Sequence, residues 1–242
     1  MILEVCIDSV ESALAAQMGG AERVELCADL EHGGTTPSIT LIKSVRERVS
    51  LKVHVMIRPR AGDFCYSEAE FEVMKKDLQE AKKLGVDGLV FGILTSERAI
   101  DSARTMMLLK MARPLTVTFH RAFDDTVDLF AALLELTQLG VDRVLTSGGK
   151  PSVEAGIQTL AGLIRKGGSS IKVLAGGGIT LENVTDIVEQ TGVDEIHALS
   201  SVSTPLVLSS SDPNSFHSGG MVADASKVRR MVEILQRLSP RK

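Results

Sequence analysis

The feature that most constrains this 242-residue chain is a joint it uses four times. Segments 19–26 "GGAERVEL", 84–91 "LGVDGLVF", 139–146 "LGVDRVLT" and 191–198 "TGVDEIHA" share one order of residues. Each has a glycine able to end a helix in the left-handed conformation, a small apolar residue, an acid, and then a β-type run. Other β-type runs lie between the joints. The expected strands are 2–7, 23–27, 52–57, 88–92, 116–120, 143–146, 171–175 and 195–198. Helical patterns fall near 9–18, 38–49, 67–84, 101–112, 127–139, 152–166, 180–191 and 224–238, with Ser9, Ser38 and Ser67 as start signals. Alternation of this kind implies a parallel sheet. A joint that recurs before every second strand favours a closed (β/α)8 TIM barrel, a single domain over 1–242, above an open doubly wound sheet. No G-x-G-x-x-G follows the first strand, which disfavours the dinucleotide-binding form of the open sheet.

In a barrel strand, alternate side chains face the helices and the lumen. The helix-facing set must be apolar, and Leu3, Val5 and Ile7 meet that demand, so Glu4, Cys6 and Asp8 point inward. The same parity turns Arg23, Glu25 and Cys27 inward, then His54, Met56 and Arg58, then Thr116, Thr118 and His120, then Glu195 and His197. A barrel lumen is ordinarily filled with branched aliphatics. Charges there must pair or line a wet cavity, because an unpaired buried charge costs several kcal/mol. The stretch 117–123 "VTFHRAF" carries its strand into His120 and Arg121, at the carboxyl end where active sites of this architecture are built.

Composition excludes some classes. Twenty-seven basic against 31 acidic residues, one Tyr and no Trp give neither a basic stripe nor stacking platforms for nucleic acid, so no nucleic-acid partner is expected. No apolar run approaches a membrane span, so no membrane partner is expected. The start "MILEVCIDSVES" lacks a basic n-region, so no secretory signal is expected. Three cysteines are too few and too odd for a disulfide scaffold, which points to a cytoplasmic protein with reduced thiols.

The motifs "EVCIDSVESA", "GGAERVELC", "GGTTPS", "MIRPRAGDFCYS", "VTFHRAFD", "RVLTSGG" and "AGGGIT" occur in this order over residues 2 to about 197. Together they closely resemble the CutC family, the so-called copper homeostasis proteins. The resemblance implies a (β/α)8 barrel, a cytoplasmic location, a homo-oligomer and a role in copper tolerance. It also matches Cys6 and Cys27 to the cysteines suspected as metal ligands in that family. Residues 198–223 depart from the family pattern, and Ala61 stands where its R-P-R-G-G-D-F motif has glycine. The 198–223 segment, with eight serines and His217, is long for a loop after strand eight and reads as a lid or a spacer.

Two chemistries remain open at the expected mouth. Cys6 and Cys27 end neighbouring strands, which lie about 4.8 Å apart, and two thiolates at that spacing suit a soft ion such as Cu(I). Met56 can add a thioether, while Cys65 lies apart in the loop after Arg60. The alternative is a barrel enzyme (isomerase, lyase or hydrolase) for a small anionic, even phosphorylated, compound. Glu25, Arg58 and His120 would be its catalytic groups. Arg60, Ser147, Gly176, Gly177 and Gly178 would bind the anion, with Arg121 beside them and Asp63 anchoring an arginine. Lys172 is the one lysine to check for Schiff-base chemistry.

Overall fold

The structure is a computed structural model that describes residues 1–205 and 220–238. Eight parallel strands close on themselves in chain order, with the last pairing the first. They are β1 Ile2–Ile7, β2 Arg23–Leu26, β3 Lys52–Met56, β4 Gly88–Phe91, β5 Thr116–Phe119, β6 Arg143–Thr146, β7 Lys172–Gly176 and β8 Glu195–Ala198. Around them run α1 Val10–Gly19, α2 Ile39–Arg46, α3 Glu68–Lys83, α4 Ser102–Ala112, α5 Leu129–Leu139, α6 Ile157–Gly167, α7 Val184–Thr191 and α8 Ala225–Leu238. The expected TIM barrel is therefore present. No helix among the described residues is long and apolar enough to cross a membrane.

The repeated joint has one mechanical role. Gly20, Gly140 and Gly192 end α1, α5 and α7 at φ of 90°, 85° and 72°, where a side chain would be strained. The acid that follows latches onto the strand before. Carboxylates of Glu22, Asp87 and Asp142 accept the backbone N–H of Leu3, Val53 and Val117 at 2.9, 2.8 and 2.8 Å. Each of those is the second residue of β1, β3 or β5. At the fourth joint Asp194 instead pairs with Lys172 Nζ at 2.6 Å, on the exposed end of β7. Lys172 thus stands outside the lumen, and the fold offers it no place in Schiff-base chemistry.

Helix starts follow their caps. Ser67 caps α3 with Glu70 in a reciprocal box, Ser9 caps α1 and Ser38 caps α2. Two helices begin later than their periodicity predicts. Residues 180–183 are tied in a turn by the Thr180 N–H to Asn183 Oδ1, and α6 waits for Gly156, packed on the Ser147 carbonyl. The 198–223 stretch is not simply a loop. Its ends pair as an antiparallel ribbon, β9 Ser203–Pro205 with β10 Met221–Ala223. Residues 206–219 of that stretch, with His217, lie outside the described residues.

Strand parity divides the interior in two. Leu3, Val5, Ile7, Val24, Leu26, Val53 and Val55 join the large apolar core beneath the helices. Cys6, Cys27, Met56 and Val90 form a separate small cluster in the lumen. β4 makes the room there. A Cβ on Gly88 would meet the His54 ring at 2.5 Å, and one on Gly92 the His120 ring at 2.6 Å. Gly88 in β4 and Gly92 just past its end therefore admit imidazoles from β3 and from the end of β5.

Candidate functional site

The lower lumen is a closed ion-pair network. Arg23 donates from Nε to Glu4 and from Nη2 to Glu195 Oε2 at 2.6 Å, and Arg143 Nε reaches the same Glu195 oxygen at 2.6 Å. Arg143 Nη1 adds a hydrogen bond to Thr118 Oγ1 at 3.2 Å. Burial pushes both carboxyls up. The arginines, with His197 on Glu4, outweigh it and hold both below the ordinary carboxylate range. His54 is buried beside Glu4, and burial pushes it down to about 3, so it stays neutral. Glu4, Arg23, Arg143 and Glu195 satisfy one another and form the floor of the site, while the buried His54 Nδ1 has no hydrogen-bond partner.

The upper layer is a proton-sharing cluster. Cys6 and Glu25 are register partners on β1 and β2, and Cys27 follows the end of β2. Cys6 Sγ lies 3.9 Å from Cys27 Sγ and 3.4 Å from Glu25 Oε2. His197 on β8 bridges floor and cluster, with Nδ1 2.8 Å from Glu4 Oε1 and Nε2 3.8 Å from Glu25 Oε2. The hydrogen bond from the Cys27 thiol brings the Cys6 thiol down to about 6 against burial, with help from His197. The same bond and burial push Cys27 well up. Burial, and then the negative Cys6, push the Glu25 carboxyl well up. Burial opposes protonation of His197, but its bonds to Cys6 and Glu4 prevail and raise it. At neutral pH Cys6 is therefore largely a thiolate and Cys27 keeps its proton, while Glu25 is biased toward its neutral acid and His197 toward imidazolium.

Above the cluster opens a cavity of about 360 Å³ at the carboxyl ends of the strands. It brings together Cys6, Glu25, Cys27, Arg58, His120 and the Gly177–Gly178 turn. His120 Nδ1 accepts from the Ala122 N–H at 3.1 Å, which leaves the ring proton on Nε2, a buried atom with no partner. Burial, and then Arg58, push His120 down to about 3. Arg58 is spread over backbone carbonyls, with Nη1 donating to Gly34 at 2.8 Å and Nη2 to Gly62 at 2.7 Å, while its buried Nε has no partner. The Phe64 ring centroid lies 4.9 Å from that of His120, with the rings tilted by 49°, and 4.9 Å from the Arg58 guanidinium carbon.

Other expected site residues stand elsewhere. Arg60 is not in the cavity lining. It reaches Glu70 Oε1 at 2.6 Å and Asp63 Oδ1 at 2.9 Å, and lies over Tyr66, so it latches its own loop. Asp63 does anchor an arginine. Ser147 is buried beneath the rim, and the donors of the 146–149 "TSGG" turn already hold an anion, the chain's own Asp124. Thr146 Oγ1, the Ser147 N–H and the Gly149 N–H all donate to that carboxylate. Gly176 lies below the rim, where a Cβ would strike Leu145 at 2.6 Å. Cys65 is exposed and apart. The sequence marks His197 as a lumen residue but not as the cation that organises the sulfurs. Its partner Glu4 is 193 positions away and meets it only when β8 closes on β1.

With this geometry in hand, likeness to known proteins is informative. The family model for the CutC family matches residues 1–202. The human "Copper homeostasis protein cutC homolog" is 51% identical over 196 residues, covering 81% of this chain and 72% of that protein. A CutC family protein of Xanthomonas axonopodis pv. citri is 42% identical over 238 residues, covering 98% of this chain and 99% of that one. The crystal structure of CutC from Streptococcus agalactiae superposes with a TM-score of 0.76 at 36% identity, covering 81% of this chain and 97% of that one. Thiamine phosphate pyrophosphorylase from Pyrococcus furiosus, at 17% identity and a TM-score of 0.64, shares the fold alone.

Proposed function

The chain belongs to the CutC family, and on that premise we propose that it serves copper homeostasis by binding Cu(I) through Cys6 and Cys27. The observation that carries the reading is the sulfur pair, 3.9 Å apart at the barrel mouth, with a Glu25 oxygen in the same cluster. One ligand atom from each of the three residues lies within 4.8 Å of the others. A metal–thiolate bond is about 2.3 Å, so two sulfurs closer than about 4.6 Å can touch one ion and leave its third side open. Thiolates select soft ions, and Cu(I) is the soft ion of copper handling. The orphaned Glu25 Oε1, buried beside the sulfurs, fits a site built to accept something more than its own side chains.

The protons decide how the ion is taken up. Cys6 is already a thiolate at neutral pH, so it offers a ready first ligand. Cys27 keeps its proton until a cation replaces it, so binding must release that proton. His197 then faces both the metal thiolates and Glu4, and screens the floor from the ion. Met56 lines the same cavity and packs in the small cluster with the two cysteines. The free cysteines suit a reducing compartment, which supports a cytoplasmic location. Exposed Phe130 and Leu134, one turn apart on α5, offer an apolar face to a second copy, which supports a homo-oligomer.

An anaerobic competition titration against a chromophoric Cu(I) chelator tests this reading. About one Cu(I) per chain should bind, and Cys6→Ala with Cys27→Ala should abolish tight binding, since only two soft ligands hold it. Equal affinity in wild type and double variant would end the proposal.

A further inference from the structure

The sulfur cluster uses one side of the cavity and leaves the rest without a task. At about 360 Å³ the cavity falls in the range of small-molecule pockets, which begin near 300 Å³, and far exceeds one ion. Its remaining polar groups include several donors. His120 Nε2 and Arg58 Nε are buried and have no partner. Arg121 uses Nε on Asp124 Oδ2 at 2.8 Å and Nη2 on Ser147 Oγ at 2.8 Å. Its Nη1 has no partner among the described residues and stands next to Gly177, 3.2 Å from where a Cβ would be. The N–H groups of Gly178 and Ile179 make no hydrogen bond among the described residues, and the loop bends through positive φ at Gly177 and Gly178. Phe64, Leu145, Ile179 and Leu199 complete the wall with apolar surface.

Unsatisfied buried donors are costly, and two of them, His120 Nε2 and Arg58 Nε, line one cavity beside the more exposed Arg121 and Gly178, an arrangement that calls for an acceptor. We propose that the barrel mouth binds a small organic anion, a carboxylate- or phosphate-bearing molecule. Its charge rests on Arg121 and the N–H groups of Gly178 and Ile179, and its further acceptors reach His120 and Arg58. The apolar wall receives its carbon skeleton. The 146–149 turn plays no part, because Asp124 fills it. This site uses different atoms from the copper ligands and stands whether or not copper binds.

The test uses metal-free, reduced protein and follows the thermal unfolding midpoint at constant ionic strength. Inorganic phosphate and succinate are the probes, and chloride is the reference. A ligand of the native state raises the midpoint with its concentration. At least one probe should do so saturably, and the one that does assigns the charged group as phosphate or carboxylate. Arg121→Gln should weaken that binding at least tenfold, and Arg121→Lys should restore most of it. Lys110→Gln, which removes an exposed charge on α4, should leave it unchanged. Arg121→Gln should fold, since the 146–149 turn holds Asp124 without it. The Cys6→Ala, Cys27→Ala protein should keep the anion while losing Cu(I). No saturable shift beyond chloride with either probe overturns the proposal. So does an equal shift in wild type and Arg121→Gln, or loss of the anion in the cysteine variant.

Discussion

Cys6 Sγ and Cys27 Sγ stand 3.9 Å apart and hold one proton between them. The strands bring the thiols together, and burial forbids two adjacent negative charges. One thiol therefore ionises at the expense of the other, and His197 decides which. Its imidazolium faces Cys6 and is held in place by Glu4.

An absorbance titration at 240 nm on the Cys65→Ser variant reads this asymmetry directly. One thiolate should appear with a midpoint near 6, and Cys27 should remain protonated beyond its ordinary value of 9. Two overlapping steps near the ordinary thiol value would contradict the shared proton.

The lumen floor should be costly to break. Arg23→Met strands Glu4 and Glu195 without their shared cation, and removing one partner of a buried pair costs about 3–5 kcal/mol. Arg60→Met breaks equally short pairs at the surface and should cost about 1 kcal/mol or less. Urea unfolding of both variants should show this inequality, and similar costs would refute the assignment of floor and latch.

The glycines of β4 should not tolerate a methyl group. In Gly92→Ala the new Cβ would lie 2.6 Å from the His120 ring and 2.9 Å from the Ala122 Cβ. Overpacking of this kind costs about 1–3 kcal/mol, and the ring must move to relieve it. Chemical denaturation and the His120 ring resonances measure the two effects. An unchanged stability with an unmoved ring would show that β4 does not make room as described.

Stability should fall as the solution is acidified. Below its ordinary value of 6.5, each of His54 and His120 binds a proton once the chain unfolds but stays neutral in the fold, where both are pushed to about 3. Glu25 does the opposite, because the fold keeps a proton that the unfolded chain releases above 4.5. Between about pH 6 and 5 unfolding thus takes up about two protons at the histidines and a fraction of one at Cys6, still partly ionised in the fold at about 6, and releases about one from Glu25, a loss near 1.4 kcal/mol per pH unit. His197 is protonated in both states there and contributes nothing to the slope. Below 4.5, Glu4 and Glu195, still ionised in the fold, make the fall steeper. Urea melts at pH 6.0, 5.5 and 5.0 check the sign, and a flat or rising stability would show that the histidines are not held neutral.

Much of this was legible in the chain because parity and repetition are local signals. Alternation at Leu3, Val5 and Ile7 is enough to turn Cys6 inward, and the repeated glycine–acid joint is enough to count strands. What stayed hidden depends on closure and on loops folding back. Arg58 and Arg60 flank the same proline, but Glu70 in its capping box, with Asp63, draws Arg60 away from the mouth. Nothing in "RAFDD" announces that Asp124 occupies the "TSGG" turn. His197 acquires its role only when β8 meets β1. The two glycines of "GLVFG" were a readable sign of neighbouring imidazoles, since both fall on the lumen parity.

X-ray absorption at the copper edge on protein loaded anaerobically with one Cu(I) examines the sulfur pair most directly. The account predicts two sulfur neighbours in wild type, with no more than one lighter atom beside them, and loss of both sulfurs in Cys6→Ala, Cys27→Ala. A first shell of nitrogen and oxygen alone, or a sulfur shell that survives the double substitution, would contradict it.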